Sequence, residues 1–226
     1  MSHREPPLLH RNDPDKAPLV GHVKVTRQDW LNAARDILVH DGVEQVKILT
    51  LSAAMGVSRS SFYWYFDNRD ALLAALLDDW QTRNTHTIIL HCRKNAANIT
   101  HALCNFFRCF VDPDLFDRGL DFGVREWARR APDVRRLIDA ADAERLDAVE
   151  LMFRQHGYEP TDADARARIL YFMQLGYHAL EVRETLETRL ARVPAYIEGF
   201  TGQAADPDAI ADFSRFARAA SQAAAV

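Results

Sequence analysis

Turn formers are scarce in this sequence. Nine glycines and nine prolines among 226 residues are too few for a many-turned β fold and suit long helices. No run of alternating β-branched residues appears, so strands have no signal of their own. The three cysteines Cys92, Cys104 and Cys109 make no disulfide framework, and a reducing cytoplasm is expected. The opening MSHREPPLLHRNDPDKAPLVG lacks the apolar stretch of a signal peptide. No segment approaches the roughly eighteen uninterrupted apolar residues of a membrane span. A glycine-rich phosphate loop, a nucleophile elbow and an HExxH run are all missing, which leaves an enzyme without support.

What is present is an ordinary globular balance. Hydrophobic residues make up 48% and charged residues 27% of the chain, enough for a substantial core. The net charge of −4 is not that of a protein that coats nucleic acid. Its distribution is uneven: residues 1–69 hold nine basic side chains against eight acidic, and the remainder nineteen against twenty-four. Contact with DNA would therefore depend on a few placed side chains.

Residues 1–22 contain four prolines, mixed charges and no periodicity, and read as a flexible extension. They are either a solvated tail or an arm that follows the DNA backbone or minor groove. A first helix is expected from Thr26, where Asp29 three residues on completes a capping box. Trp30, Ala33, Ala34, Ile37 and Leu38 then form one buried face, and Asp41-Gly42 ends the helix. A short helix follows over about Leu49–Met55, then Gly56-Val57-Ser58 and a second short helix to Phe66. Asp67-Asn68 can cap a long helix running toward His91. Later helices are expected at about 96–111, 115–130, 132–156, 161–190 and 207–221, with Pro132 in a first turn and Thr161 with Asp164 repeating the capping signal.

Two short helices joined by a glycine turn can place one helix in the major groove. Leu51, Ala54 and Met55 would form the inner face of the first helix, and Phe62 and Phe66 would anchor the second. Ser58, Arg59, Ser60, Tyr63 and Tyr65 are left at the turn or on outer faces. Guanidinium can grip guanine bidentately, while hydroxyls reach phosphates. Trp64 suits either packing or the DNA face.

The segment from Gly56 through Val57, Ser58, Arg59, Phe62, Tyr63, Tyr65, Phe66, Asn68, Arg69 and Leu72 resembles the recognition helix of the TetR family and the entry to its fourth helix. The resemblance implies an all-α fold: an N-terminal three-helix helix-turn-helix domain at 23–69, and a larger helical domain at 70–226 for effector binding and dimerisation. It also implies that Arg59 and Ser60 face base edges, that Tyr63 and Tyr65 contact phosphates, and that Arg69 stands at the family's phosphate-binding lysine. Where the family often opens its second helix with Thr and Arg, this chain has Lys47 and Leu49; Lys47 or Thr50 would substitute. Asp67 adds a negative charge near the expected DNA face. We read these departures as a changed operator preference.

The resemblance further implies a homodimer on a pseudo-palindromic site, joined through two late helices. The segments at 161–190 and 207–221 are the candidates, with intramolecular core as the plainer alternative. It also implies a small-molecule effector in a cavity among the middle helices, whose binding releases double-stranded operator DNA. Candidate lining residues are Trp80, His101, Cys104, Phe107, Phe122, Arg125, Trp127, Phe172, Met173 and Tyr177, although an aromatic in such a helix is more often ordinary core. No cofactor is expected. His91-Cys92 with His101 and Cys104 match no familiar zinc spacing, and Cys104 and Cys109, five apart, are poorly placed for a redox pair. The competing function is a ligand-binding helical dimer without operator binding, acting through a protein partner.

Overall fold

The computed structural model describes residues 25–223. The expected N-terminal extension lies outside them. Ten α-helices and no strand are found among the described residues. The chain divides into two units after Leu76, within the third helix.

The first unit opens with α1 (Arg27–Asp41). Thr26 and Asp29 form the reciprocal capping box that their spacing predicts: Asp29 N–H donates to Thr26 Oγ1 and Thr26 N–H donates to Asp29 Oδ2. Together these occupy two amides that a helix start otherwise leaves without partners. Trp30, Leu31, Ala34, Ile37 and Leu38 are buried. Gly42, at φ +84°, takes the chain out of the helix and into a short 3₁₀ turn at Val43–Gln45.

Next come α2 (Ile48–Met55) and, after Gly56, a 3₁₀ segment over Arg59–Trp64 where the spacing suggested an α-helix to Phe66. Gly56 adopts the left-handed conformation, φ +66° and ψ 32°, which costs glycine little. Phe62 meets Trp30 edge-on at 5.2 Å and stacks on Phe66 at 5.5 Å; these rings form the centre of the unit. Ser52, not Ala54, joins Leu51 on the inner face of α2, and its hydroxyl donates to the Ile48 carbonyl at 2.7 Å. α3 (Arg69–Trp80) starts under Asn68, whose side chain accepts from Ala71 N–H at 2.8 Å.

In the second unit the helical run continues without a break through a π-helical turn, Gln81–His86, into α4 (Thr87–Cys92). It is followed by α5 (Ile99–Val111), α6 (Arg118–Ala128), α7 (Pro132–Gln155), α8 (Pro160–Ala179), α9 (Leu186–Thr201) and α10 (Pro207–Ala223). Side-chain caps set several starts: Asn98 accepts from His101 N–H, Asp117 from Leu120 N–H and Thr185 from Thr188 N–H. Pro132 occupies the first turn of α7. The α8 start differs from expectation. Pro160 opens that helix after Glu159, with no side-chain cap, so Thr161 and Asp164 lie inside it. Leu103, Phe106, Cys109, Val149, Phe153, Leu170, Ile197 and Phe213 are central to the core, where α7 packs on α8 and α5 on α4 and α10.

The single helix expected at 161–190 is two. α8 ends at Ala179, residues 180–185 turn, and α9 begins at Leu186 and runs past an internal Pro194. In the turn Glu181 sits at φ +48°, a conformation in which side-chain-bearing residues are uncommon.

Candidate nucleic-acid interface and ligand clefts

The 3₁₀ segment separates its side chains sharply. Phe62 is buried, and so is Phe66 just beyond, while Arg59, Ser60, Tyr63, Trp64 and Tyr65 are exposed. Trp64 is 83% exposed, so it contributes surface and not core. So exposed an indole in a segment with an arginine and two phenols is an unusual use of large aromatics, which normally bury their apolar area. Lys47 and Ser58 are also exposed, Thr50 is half-buried, and Ser58 and Ser60 share a hydrogen bond of 2.8 Å between their hydroxyls. Leu49 is 65% exposed, and Asp67 lies on the surface.

Two expected phosphate contacts have other engagements. Tyr65 donates its hydroxyl hydrogen to the Val25 carbonyl at 2.6 Å, leaving only oxygen lone pairs to offer. Arg69 donates from Nε to the Val46 carbonyl and from a terminal nitrogen to the Val43 carbonyl, each at 2.6 Å. It therefore clamps the turn between α1 and α2, and only its remaining N–H groups could serve a phosphate.

In the second unit, Trp80 and Arg125 belong to a buried polar cluster, not to an open cavity. Asp121, fully buried, accepts from Trp80 Nε1 at 2.8 Å, from Arg125 Nε at 2.8 Å and from Arg145 at 3.0 Å. Arg125 also holds Asp142 bidentately at 2.8 and 2.7 Å. Arg145, likewise fully buried, donates to Thr85 Oγ1 and to the Tyr171 hydroxyl, which in turn donates to Asp142 at 2.7 Å. Burial alone would raise the Asp121 pKa. The charges of Arg145 and Arg125 and the N–H donors outweigh it and hold the carboxyl at about 2. Asn84 on the π turn joins this cluster to the start of α6, donating to the Asp117 carbonyl and accepting from its N–H. The signal for it was present as acid–arginine pairs at helical spacing, Asp121 with Arg125 and Asp142 with Arg145. Their convergence across two helices is a long-range fact.

Two clefts lie elsewhere in this unit. A narrow, mostly apolar one of about 60 Å³ is lined by Phe107, Phe110, Met173, Tyr177, Leu190 and Phe213, among others. It gathers three of the expected residues: Phe107, Met173 and Tyr177. An open cleft of about 870 Å³ includes Phe122, Arg118, His178 and Arg189 in its walls, and the two share Glu184 and Arg189. The remaining candidates fall outside both. Cys104 is buried in the apolar core. His101 bonds Asn98 at the start of α5, Trp127 is half-buried on α6, and Phe172 is 52% exposed on α8. Sequence reasoning missed Leu190 and Arg189 because α9 was not recognised.

The cysteines are free and buried. Burial pushes the Cys104 and Cys109 thiols up to about 12, which makes them inert packing groups. His91 and His101 hydrogen-bond to Asn105 and Asn98 respectively. Among the described residues, no group of three or more His, Cys, Asp or Glu is placed to hold a metal ion, and no helix is long and apolar enough to cross a membrane.

Comparison with known proteins bears on the first unit above all. Residues 31–76, about a fifth of the chain, match the family model described as bacterial regulatory proteins, tetR family. No curated protein matches the sequence. Among solved structures, a protein from Rhodococcus sp. described as a TetR-family transcriptional regulator is 14% identical, with a TM-score of 0.54 over 83% of this chain and 98% of its own. A transcriptional regulator from Streptomyces coelicolor is 17% identical, with a TM-score of 0.52 over 78% of this chain and 98% of its own. At such identities the likeness is one of fold. Residues 31–76 are thus similar to the bacterial regulatory proteins of the tetR family, and the all-helical fold of the chain is like that of these two structures.

Proposed function

We propose that the protein is a ligand-responsive transcriptional repressor of the cytoplasm. It binds a pseudo-palindromic operator as a homodimer, and a small-molecule effector releases it. The observation that carries this reading is the outward set of Arg59, Ser60, Tyr63 and Trp64 over the buried Phe62 and Phe66. Arg59 and Ser60 read base edges from the major groove, while Lys47, Thr50, Ser58, Tyr63 and Trp64 follow the backbone. Arg69 adds charge near the phosphates while its clamp on Val43 and Val46 holds the turn in place.

A single helix-turn-helix reads few base pairs, so a dimer is needed for specificity. Ile169 and Phe172, three apart on α8 and 59% and 52% exposed, supply an apolar strip for the partner protomer. α10 is less suited, since Ala209, Phe213 and Ala217 are buried within the chain. The apolar cleft at Phe107, Met173 and Tyr177 is the effector site. At about 60 Å³ it is well below the several hundred Å³ of a pocket holding a drug-sized ligand, so occupancy must part its walls. Release then follows from the ligand's preference for the DNA-incompetent state.

Selection of random duplex DNA by the purified protein, followed by titration against salt, tests the reading. Enrichment of a palindrome with affinity falling steeply in salt is expected. A folded dimer that enriches nothing, even at low salt, would favour the DNA-silent ligand binder acting through a protein partner.

A further inference from the structure

The open cleft has a chemical character that the apolar one lacks. Arg118, the first residue of α6, and Arg189, in the first turn of α9, both line it. Neither has a carboxylate within ion-pair distance among the described residues. Arg189 instead stacks over the Tyr177 ring at 5.1 Å. The carboxylates in the same wall are engaged: Glu184 accepts from Tyr177 and Arg192, and Glu181 pairs with Arg183 at 3.8 Å.

His178 lines the same cleft from the last turn of α8 and is only 5% exposed. Gln174 Nε2 lies 2.9 Å from His178 Nε2. With the amide in this orientation its nitrogen donates to the ring Nε2, and the proton of the neutral imidazole then sits on Nδ1. That nitrogen is buried and has no hydrogen-bond partner. Burial, with Arg118 and Arg189 adding to it, lowers the His178 pKa to about 4, so the ring is neutral at pH 7. A buried N–H without an acceptor is costly and uncommon in a native protein. Arg118 and Arg189, neither of them paired with a carboxylate, line the same space, which favours an acceptor that carries negative charge over a neutral one.

We propose that this cleft is a carboxylate-binding site, and that its ligand is an organic acid whose apolar body enters the adjoining cleft beside Phe107, Phe110 and Met173. Glu184 and Arg189 border both spaces, so one amphiphile can span them. The carboxylate takes the His178 N–H and the guanidinium donors of Arg118 and Arg189; the hydrocarbon replaces contacts among the rings. The effector role of this acid rests on the regulator reading above, but its binding does not.

Calorimetric titration of the full chain with octanoate, 1-octanol and octylammonium tests the site. Octanoate should bind at least about tenfold tighter than the alcohol, as one charge-assisted contact set predicts, and the ammonium weakest. Arg118→Gln and Arg189→Gln should each narrow the acid–alcohol ratio by about tenfold. Arg154→Gln, on an exposed α7 side chain outside both clefts and paired with Glu150, should leave it unchanged, and thermal melts confirm that each variant folds. Equal binding of acid and alcohol, an unaltered ratio in the Arg118→Gln/Arg189→Gln double variant, or no octanoate binding at millimolar concentration would overturn the proposal. Octanoate that binds with the expected ratios yet leaves the selected duplex bound upholds the carboxylate site and removes the effector role.

Discussion

The two units use polar and aromatic side chains in opposite ways. In the first, rings and hydroxyls are turned outward around a small aromatic core, with Trp64 83% exposed while Trp30 and Phe62 are fully buried. In the second, charge is turned inward: Arg145 and Asp121 are both fully buried, and Trp80 serves them as donor and as a π face 5.3 Å from the Arg145 guanidinium. Outward polar groups contribute little to stability and are free to meet a partner. Inward ones are strongly destabilising when half of the set is removed. The contrast teaches where each unit is sensitive to substitution.

The largest break falls in the second unit. Arg145→Leu removes donors to Thr85, Tyr171 and Asp121 and leaves a buried carboxylate with one arginine. We expect a loss of about 3–5 kcal/mol, measured by urea denaturation. Next comes a pH effect of the same unit. Because His178 is held neutral with its pKa lowered to about 4, the unfolded chain takes up its proton first as pH falls. Stability linked to this ring is complete above about pH 6.5 and declines toward pH 4, by at most about 3 kcal/mol. His178→Phe should flatten that slope. The Asp121 contribution runs lower: its pKa is depressed to about 2, so it persists above about pH 4 and disappears only as pH falls toward 2.

For the first unit the expected effects are on binding. Arg59→Ala should cost about 1–3 kcal/mol on the selected operator and relax base preference, while its urea midpoint stays within about 0.5 kcal/mol of the parent. A matching loss of stability would mean that the side chain is structural. Smallest is Thr26→Ala, which removes one side of the capping box at α1 and should cost about 1 kcal/mol, read in the same denaturation.

The parts of this molecule written in local chemistry were legible. Thr26 and Asp29, Gly56, Pro132 and the Phe62–Phe66 pair each act through neighbours within four residues, and each stands where its spacing predicts. The inner face of α2 was misread because Ile-Leu-Thr-Leu-Ser-Ala-Ala-Met is apolar nearly all round and too short to show a period. The break at 180–185 was hidden because Leu180 and Val182 continue an apolar pattern and the left-handed residue there is glutamate, not glycine. With that break went α9 and its cleft residues. The charge cluster joins Trp80, Asp121, Arg145 and Tyr171 from four different helical segments, and no window of sequence contains it.

The π turn at Gln81–His86 is also a matter of phase. Trp80, Asn84, Ile88 and Cys92 are all buried, a stripe that repeats every four residues. An α-helix closes a turn in 3.6 residues, so each such step overshoots by about 40°, and three of them would carry Cys92 about 120° round from Trp80. A wider turn, whose hydrogen bonds reach one residue further, winds each residue through a smaller angle and takes back part of that overshoot. Within the second unit, the helix can thus present one straight line of side chains to its neighbours where an unbroken coil would spiral away. Deleting any one residue from 81–86 would restore ordinary winding and put Asn84 or Thr85 out of step with Asp121 and Arg145.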